Sequence, residues 1–534
     1  MRELRSEKLK ITIVVSNAGS YNYTMTDMYD IIVLGAGLGG LCAAFEASGK
    51  GKRVLLFEQH NLPGGFATSF VRGRFEFEPS LHEMPDVSSI EEASGVVRYL
   101  KDQAGLDIDF LPIPDAYRVI LTDKNVDVRI PFGSTALIDV VEREVPGSRG
   151  PVSAYMELCG EIQDAFGYLS RHEKDLSYRD LLKKHGNFIR TGAYTAEQVA
   201  DSLHVPRAAR DLIYPYWCYL GVPMGRMSFS IWAALLNSYI SWGAVIPKLR
   251  SHEISSAFVK GIQENDGEIL YNTRVERVLV SDGRITGVET SAGDRIECRA
   301  LISNASPTLM FDSMISPRDE VPPSALRNIS TRKHGFSLVV VYLGLDAGPE
   351  ELGLEDYSYF IAPHMDTEKL YDTIHNLDSD GVMQASVCLN IANPDCSPPG
   401  TTILAITAGF RAEAWAGVSC RDYFRTKNRV AEKLITQFEE ATNTRIRGHI
   451  EEIEIATPQT FARYTGAYDG IVYGYEPEPW DSIVPRALAA EEETYFENLQ
   501  FCGGFAFRCH GYGSSILSGK TAAEKTISAL DGPV

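Results

Sequence analysis

The sequence predicts an α/β protein built on a Rossmann-like, nucleotide-binding domain. Three observations predict it. A complete strand–turn–helix–strand unit lies between Tyr29 and Glu58, a run of short strands fills Gly267–Pro307, and the chain ends in a strand, a glycine-rich loop and a helix. At 534 residues the chain is too long for one ordinary core and should divide into two or more lobes.

The first unit carries the chemistry most plainly. A short apolar strand, Ile31 to Leu34, runs into Gly35, Gly37 and Gly40. The first glycine permits a tight turn, the second lets backbone approach a pyrophosphate, and the third lets the next helix pack close to the strand. That helix points its unpaired N-terminal amides at the phosphates. After a second strand, Val54 to Phe57, Glu58 stands where an acid accepts the hydroxyls of an adenosine ribose, and a carboxylate there disfavours a 2′-phosphate. Pro63-Gly64-Gly65 then forms a turn, whose glycine pair can bring further amides toward the pyrophosphate.

Beyond it, Phe75 and Phe77 alternate with charged neighbours, a strand or hairpin edge, and His82 follows. Helical spacing occupies 87–110 and 152–190, with two strands over Tyr117–Ile130 that turn near Lys124-Asn125. Residues 195–240 are largely helical and unusually aromatic, including Tyr214, Trp217, Tyr219, Trp232 and Tyr239. Phe336–Leu345 reads as a buried strand. Further strand signals lie at Val387–Ile391, Thr402–Ile406 and His449–Ile455, with a helix around Arg429–Glu440.

The totals exclude several classes of function. The formal charge is −20, from 71 acids against 51 bases, so the surface repels nucleic acid and has no general attraction to anionic lipid, although a local patch leaves room for peripheral membrane contact. Nine cysteines stand singly, without a CxxC pair, and eleven histidines show no HxxxH or HExxH spacing. The expectation is free thiols in a reducing, cytoplasmic setting and no metal. No stretch is long enough to span a bilayer, and Ile11–Val15 is too short for a signal-peptide core. Residues 1–28 are expected to be a disordered extension or an over-called start.

Several separated segments then match one group. DIIVLGAGLGGLCAA (30–44), LLFEQHNLPGGFATSF (55–70), TRVERVLVSDGRITGV with ISNASP (273–288 and 302–307) and FCGGFAFRCHGYGSSILSG (501–519), with ATPQTFARYTGAYDGIVYG (456–474) as a weaker fifth, resemble the FAD-dependent carotenoid (phytoene) desaturases, carotenoid isomerases and retinol saturases, within the wider flavin amine oxidases. The resemblance implies FAD as cofactor and a Rossmann-like FAD-binding domain of the GR2 type assembled from 29–110, 241–310 and 495–534, with an inserted α+β substrate domain in two parts at 111–240 and 311–494. It implies a cofactor-binding set of Gly35, Gly37, Gly39, Gly40, Glu58, Gly64, Gly65, Thr68, Val275, Asn304, Gly503, Gly504, Gly511, Gly513 and Ser514. Two departures stand out. Phe505 replaces an acid of the C-terminal motif, and Leu249-Arg250 replaces a glycine pair, where side chains would crowd the floor of the site.

The activity implied is an FAD-dependent oxidoreductase altering carbon–carbon double bonds of a hydrophobic polyene or isoprenoid, by desaturation, saturation or isomerisation. Such chemistry needs an apolar pocket against the cofactor more than a catalytic triad. His82 and His510 are the candidate acid–base groups, Arg250 a candidate for orienting a polar head group, and Tyr214, Trp217 and Trp232 candidates for the tunnel wall. No second GxGxxG unit is present, so electrons are expected to exchange with a separate donor or acceptor. Two alternatives stand beside this reading: a flavin amine oxidase, and a non-catalytic lipid-binding protein on the same fold.

Overall fold

A computed structural model describes residues 28–85, 95–171, 177–481, 494–506 and 510–532. The extension expected over 1–28 therefore lies outside the described residues except for Met28. Three separate chain segments build the first sheet. Its parallel core runs Glu268–Leu270, Val54–Phe57, Tyr29–Leu34 and Arg295–Ser303, with Leu499–Phe501 pairing parallel to Arg295–Ser303 on the far side. Strands buried on both faces need apolar side chains throughout, which is why YDIIVL and VLLF carry no alternation.

The helix Leu38–Gly49 is covered on several sides at once. It packs against the sheet, the C-terminal helix Tyr512–Asp531 and the helix His252–Glu264, so nearly all of its residues are buried. Small residues permit this. A Cβ on Gly519 would lie 2.1 Å from the Gly39 carbonyl oxygen, so the two helices meet backbone to backbone.

The Gly267–Pro307 run divides between this parallel core and an antiparallel extension, Arg284–Thr290 and Val275–Ser281. Ile315–Ser316 then pairs with Val275–Ser281, and Met310, Phe311, Ile315 and Ala325 pack on the same face of the sheet. The nucleotide-binding layer thus continues past residue 310. Ala244–Pro247 instead joins Met84–Pro85 and Phe110–Pro112 in a small separate sheet.

The second large sheet has seven strands in the order Ile450–Ala456, Ser337–Leu345, Thr402–Phe410, Gln384–Cys388, Ser358–Ala362, Tyr117–Leu121 and Val126–Ile130. Ser337–Leu345 is buried along its whole length, as its valine run predicts. The hairpin over Tyr117–Ile130 turns at Asn125, in the left-handed region at φ 51°, which asparagine tolerates. One face carries the helix Tyr423–Thr442. The other faces the bundle of Arg149–Arg171, Arg207–Ile213 and Phe229–Trp242.

Two expectations for local structure need correction. The strand expected at Val387–Ile391 ends at Cys388, and Leu389–Ala392 turns into a short helix. Asn390 there accepts from the Ile403 amide and donates to the Thr401 carbonyl, and that side chain–backbone bonding competes with the ladder. Of the helical spacing over 87–110, 87–94 lies outside the described residues, and only Val96–Arg98 and Tyr99–Gln103 are helical in the rest. Gly105 takes φ 64° and ends the run.

Candidate active site

The two lobes enclose a cavity of about 2370 Å3. Ligand pockets commonly measure roughly 300–1,000 Å3, so this one has room for a dinucleotide and a long apolar ligand together. At one end lie Gly35, Gly37, Gly39, Glu58, Gly64, Gly65, Thr68, Val275, Asn304, Gly503, Gly504, Gly511, Gly513 and Ser514. Four distant stretches of sequence thus converge on one surface, and Gly503 meets the loop at 35–40 directly, against Gly39. Gly40 alone of the sequence-derived set sits behind that surface, against the Gly35 carbonyl.

This surface fits the adenine dinucleotide of a flavin. An added Cβ on Gly39 would fall 2.5 Å from the Gly503 backbone nitrogen and 2.8 Å from its Cα, so bare backbone is required there. Both long helices, Leu38–Gly49 and Tyr512–Asp531, begin at glycines without a side-chain cap, leaving their first amides for a ligand. The Glu58 carboxylate accepts from the amides of Ala36 (2.7 Å) and His60 (2.8 Å). A carboxylate has about four acceptor sites, so capacity for ribose hydroxyls remains. Burial raises its pKa, and those amides oppose the rise. The Thr273 amide donates to the Glu58 carbonyl (2.9 Å), which holds the chain leading into Val275 against Glu58.

Much of the rest of the cavity wall is apolar and aromatic. Trp217, Leu220, Ile231, Leu235, Tyr239, Phe336, Leu338, Ile374, Met383 and Tyr473 line it. Phe505 borders it too and packs edge-on against Tyr475 at 5.1 Å between ring centres, so an apolar ring stands where the resemblance implied an acid.

Three sequence-derived candidates lie elsewhere. Tyr214 and Trp232 do not line the cavity; they meet edge-to-face at 5.8 Å inside the helical core. Arg250 does not line it either. Its guanidinium bonds Glu76 (3.1 Å) and the Cys396 carbonyl, and Leu249 is 56% exposed, so neither side chain crowds the floor of the site. Arg250 ties the Phe75–Phe77 hairpin to the 389–396 segment. Arg250→Gln is therefore expected to lower Tm by about 1–3 °C, from the loss of about 1.5–3 kcal/mol of charged hydrogen bonding, with flavin content unchanged in the visible spectrum.

His82 and His510 both reach the cavity. His510 Nε2 lies 2.9 Å from the Tyr219 carbonyl, and its ring packs on Tyr473 at 4.6 Å. His82 Nδ1 is 3.2 Å from the Tyr219 hydroxyl and Nε2 is 3.4 Å from that of Thr407. Burial holds this imidazole down at about 4, so it is neutral near pH 7 and is not a charged acid.

The sequence reading missed Glu83. It borders the cavity, is 4% exposed, and accepts a 2.7 Å hydrogen bond from the Tyr219 hydroxyl on Oε1. Its Oε2 is buried without a hydrogen-bond partner. Burial pushes the carboxyl up to about 8, with the Tyr219 bond acting in the opposite sense. Phenols fix the backbone here: Tyr357 donates to the His82 carbonyl and Tyr239 to that of Glu83. The one available signal was two adjacent polar residues, His82 and Glu83, between Leu81 and Met84 in a segment otherwise suited to a core.

A dinucleotide cradle from discontinuous segments, opening into an apolar chamber of a second lobe, defines a flavin-dependent oxidoreductase. Residues 38–526 match the model of the flavin containing amine oxidoreductases, and the chain belongs to that family, with FAD as its cofactor. It is similar to all-trans-retinol 13,14-reductase of Danio rerio, 24% identical over 99% of this chain and 89% of the relative. Prolycopene isomerase of Daucus carota is also 24% identical, over 94% of this chain and 80% of the relative. Among solved structures, putrescine oxidase shares the fold, with a TM-score of 0.60, 14% identity, and 94% and 99% of the two chains covered.

Proposed function

We propose that the protein uses FAD to add, remove or shift hydrogen at carbon–carbon double bonds of a hydrophobic polyene or isoprenoid. The observation that carries this reading is the continuity of the cavity from the glycine cradle into an apolar chamber. A small polar amine needs no such volume. The cradle residues named above would hold the cofactor, with Glu58 on its ribose and the amides following Gly37 and Gly511 on its anionic and carbonyl groups. When bound, flavin supplies or accepts hydride. The chain's own contribution is to hold a long apolar ligand along Trp217, Tyr239, Phe336 and Met383 and to exclude water.

The relatives support the same reading, since one is named for reducing retinol and another for isomerising prolycopene. Lys427 is the one lysine among the described residues that line the cavity, and it sits between the Tyr423 and Phe424 rings, the latter ring exposed. It is therefore at the mouth. Around that mouth Leu62, Val71, Phe424 and Tyr464 are 46–67% exposed. This rim is the side from which an apolar substrate would arrive, by contact with a lipid surface. Among the described residues no helix is long and apolar enough to cross a membrane. Electrons would pass to or from a separate donor or acceptor.

The test is anaerobic reduction of bound flavin followed by a panel of polyenes, retinoids and amines. Reoxidation by a polyene, or rearranged polyene with flavin still reduced, is the expected outcome. Bleaching of oxidised enzyme by amines alone would replace this reading with that of an amine oxidase.

A further inference from the structure

The chamber contains one group whose burial the fold does not explain. Glu83 lies in the wall among the phenols Tyr216, Tyr219, Tyr239 and Tyr357, the Cys218 thiol and the His82 imidazole. All of these are neutral near pH 7, and among the described residues no lysine or arginine pairs with it. A carboxyl buried without a counter-charge is costly unless it stays protonated. A glutamine or methionine would fill the space at less cost, so the structure retains an acid where packing does not require one.

The hydrogen bonds around Glu83 form a chain rather than a cluster. Thr407 Oγ1, His82 Nε2, His82 Nδ1, the Tyr219 hydroxyl and Glu83 Oε1 follow at 3.4, 3.2 and 2.7 Å across the three gaps. Each of the three links can be written in either direction, because the hydroxyls both donate and accept and the imidazole has two tautomers. With the Tyr219 hydrogen on Oε1, the acid proton of Glu83 sits on Oε2, which has no protein partner and is covered by the chamber wall, so the carboxyl turns toward the cavity it borders to present that proton.

We propose that Glu83 is the acid that delivers a proton to the substrate double bond, with Tyr219 and His82 as its positioning residues. This rests on the polyene reading above. The double bond gains a hydride, from the reduced flavin that is oxidised in the exchange, and a proton, from the Glu83 carboxyl, which is left as carboxylate. The sum is two hydrogens added across one carbon–carbon bond. The carboxylate recovers its proton from water once the product leaves. Because the resting group is mainly the protonated acid near pH 7, the site is set for saturation rather than for proton abstraction.

The experiment has two arms on the holoenzyme. In the first, infrared difference spectra of the oxidised protein are titrated with pH. A protonated-carboxyl band with a midpoint near 8 is expected, absent in Glu83→Gln and moved to higher pH in Tyr219→Phe, which removes the donor that favours the anion. In the second, enzyme reduced under anaerobic conditions meets polyene in D2O. Wild type should place one solvent deuterium in the product, and Glu83→Gln should lose roughly 10²–10⁴-fold in kcat with KM and flavin content retained. Glu83→Asp should recover part of it. A band that titrates in the ordinary carboxylate range, or undiminished turnover in Glu83→Gln, overturns the proposal. A wild type that turns over no polyene overturns instead the substrate reading on which the step rests, and the infrared arm is independent of that result.

Discussion

Gly40→Ala is expected to purify, if it folds at all, without yellow colour and with no cooperative thermal transition near that of the wild type. A Cβ at residue 40 would lie 2.0 Å from the Gly35 carbonyl oxygen, 3.2 Å from its carbon and 3.3 Å from Asn304 Cβ. The nearest obstacle is backbone, so no side chain can swing aside. Relief requires the N-terminus of the Leu38–Gly49 helix to move off the strand by about 1 Å, because a Cβ does not settle closer than about 3.0 Å to another heavy atom. That helix is clamped from behind, because Gly519 of the C-terminal helix already meets the Gly39 carbonyl. Overpacking in a closed core costs about 1–3 kcal/mol where neighbours can yield, and here two backbone contacts cannot. Any shift also withdraws the amides at the helix start from the pyrophosphate. Gly51→Ala is the control. It has φ 73° with nothing within 4 Å of its Cβ, so it should cost about 1 kcal/mol and keep its flavin. The ratio of flavin to protein absorbance and the Tm of the two variants check this. A yellow Gly40→Ala as stable as Gly51→Ala would mean that the helix and strand are not held as described.

The contrast between these glycines and Glu83 shows what sequence can carry. Gly35, Gly37, Gly40 and Glu58 were legible because their roles are local: a turn, a helix start and the end of a neighbouring strand, all within one supersecondary unit. The C-terminal loop was legible through its resemblance to relatives, and the fold brings it to the same surface. Tyr214, Trp217 and Trp232 illustrate the opposite case. Aromatic residues at helical spacing say that a helix is buried, but not which side faces a chamber and which a neighbouring helix. Of these three, Trp217 borders the cavity, whereas Tyr214 and Trp232 pack on each other. Arg250 misled for a related reason. Aligned motifs gave its place in the chain, but its direction is set by Glu76 and by Cys396, 146 residues away. Glu83 left only the faint signal of a polar pair in a core-like segment, since its raised pKa comes from burial under rings supplied by the 214–219 turn, the 229–242 helix and Tyr357, which the Tyr219 hydrogen bond only partly opposes.

Glu83→Gln is expected to be stabilising in alkaline solution and not in acid. The sign follows from linkage. The folded-state pKa of about 8 lies above the ordinary value of 4.5, so the native protein holds this proton more tightly than the unfolded chain does. Stability from that preference is fully present below pH 4.5, declines as pH rises, and is lost once pH passes about 8. At about 1.4 kcal/mol for each pH unit of that window, the total is on the order of 5 kcal/mol for a fully buried carboxyl. Glutamine keeps an acceptor for the Tyr219 hydroxyl and carries no charge at any pH, so the variant escapes the decline. His82 acts in the other direction. Its native pKa of about 4 lies below 6.5, so its contribution is present above pH 6.5 and lost as pH falls toward 4, equally in both proteins. The difference in Tm between Glu83→Gln and wild type should therefore climb between pH 4.5 and 8 and then level off, while the separate pH profiles of each protein bend in acid through His82. Differential scanning fluorimetry of the two holoenzymes across that range measures it directly. A difference that stays constant with pH would place the Glu83 carboxylate in contact with water or a cation, and with that the buried acid in the chamber wall would be gone.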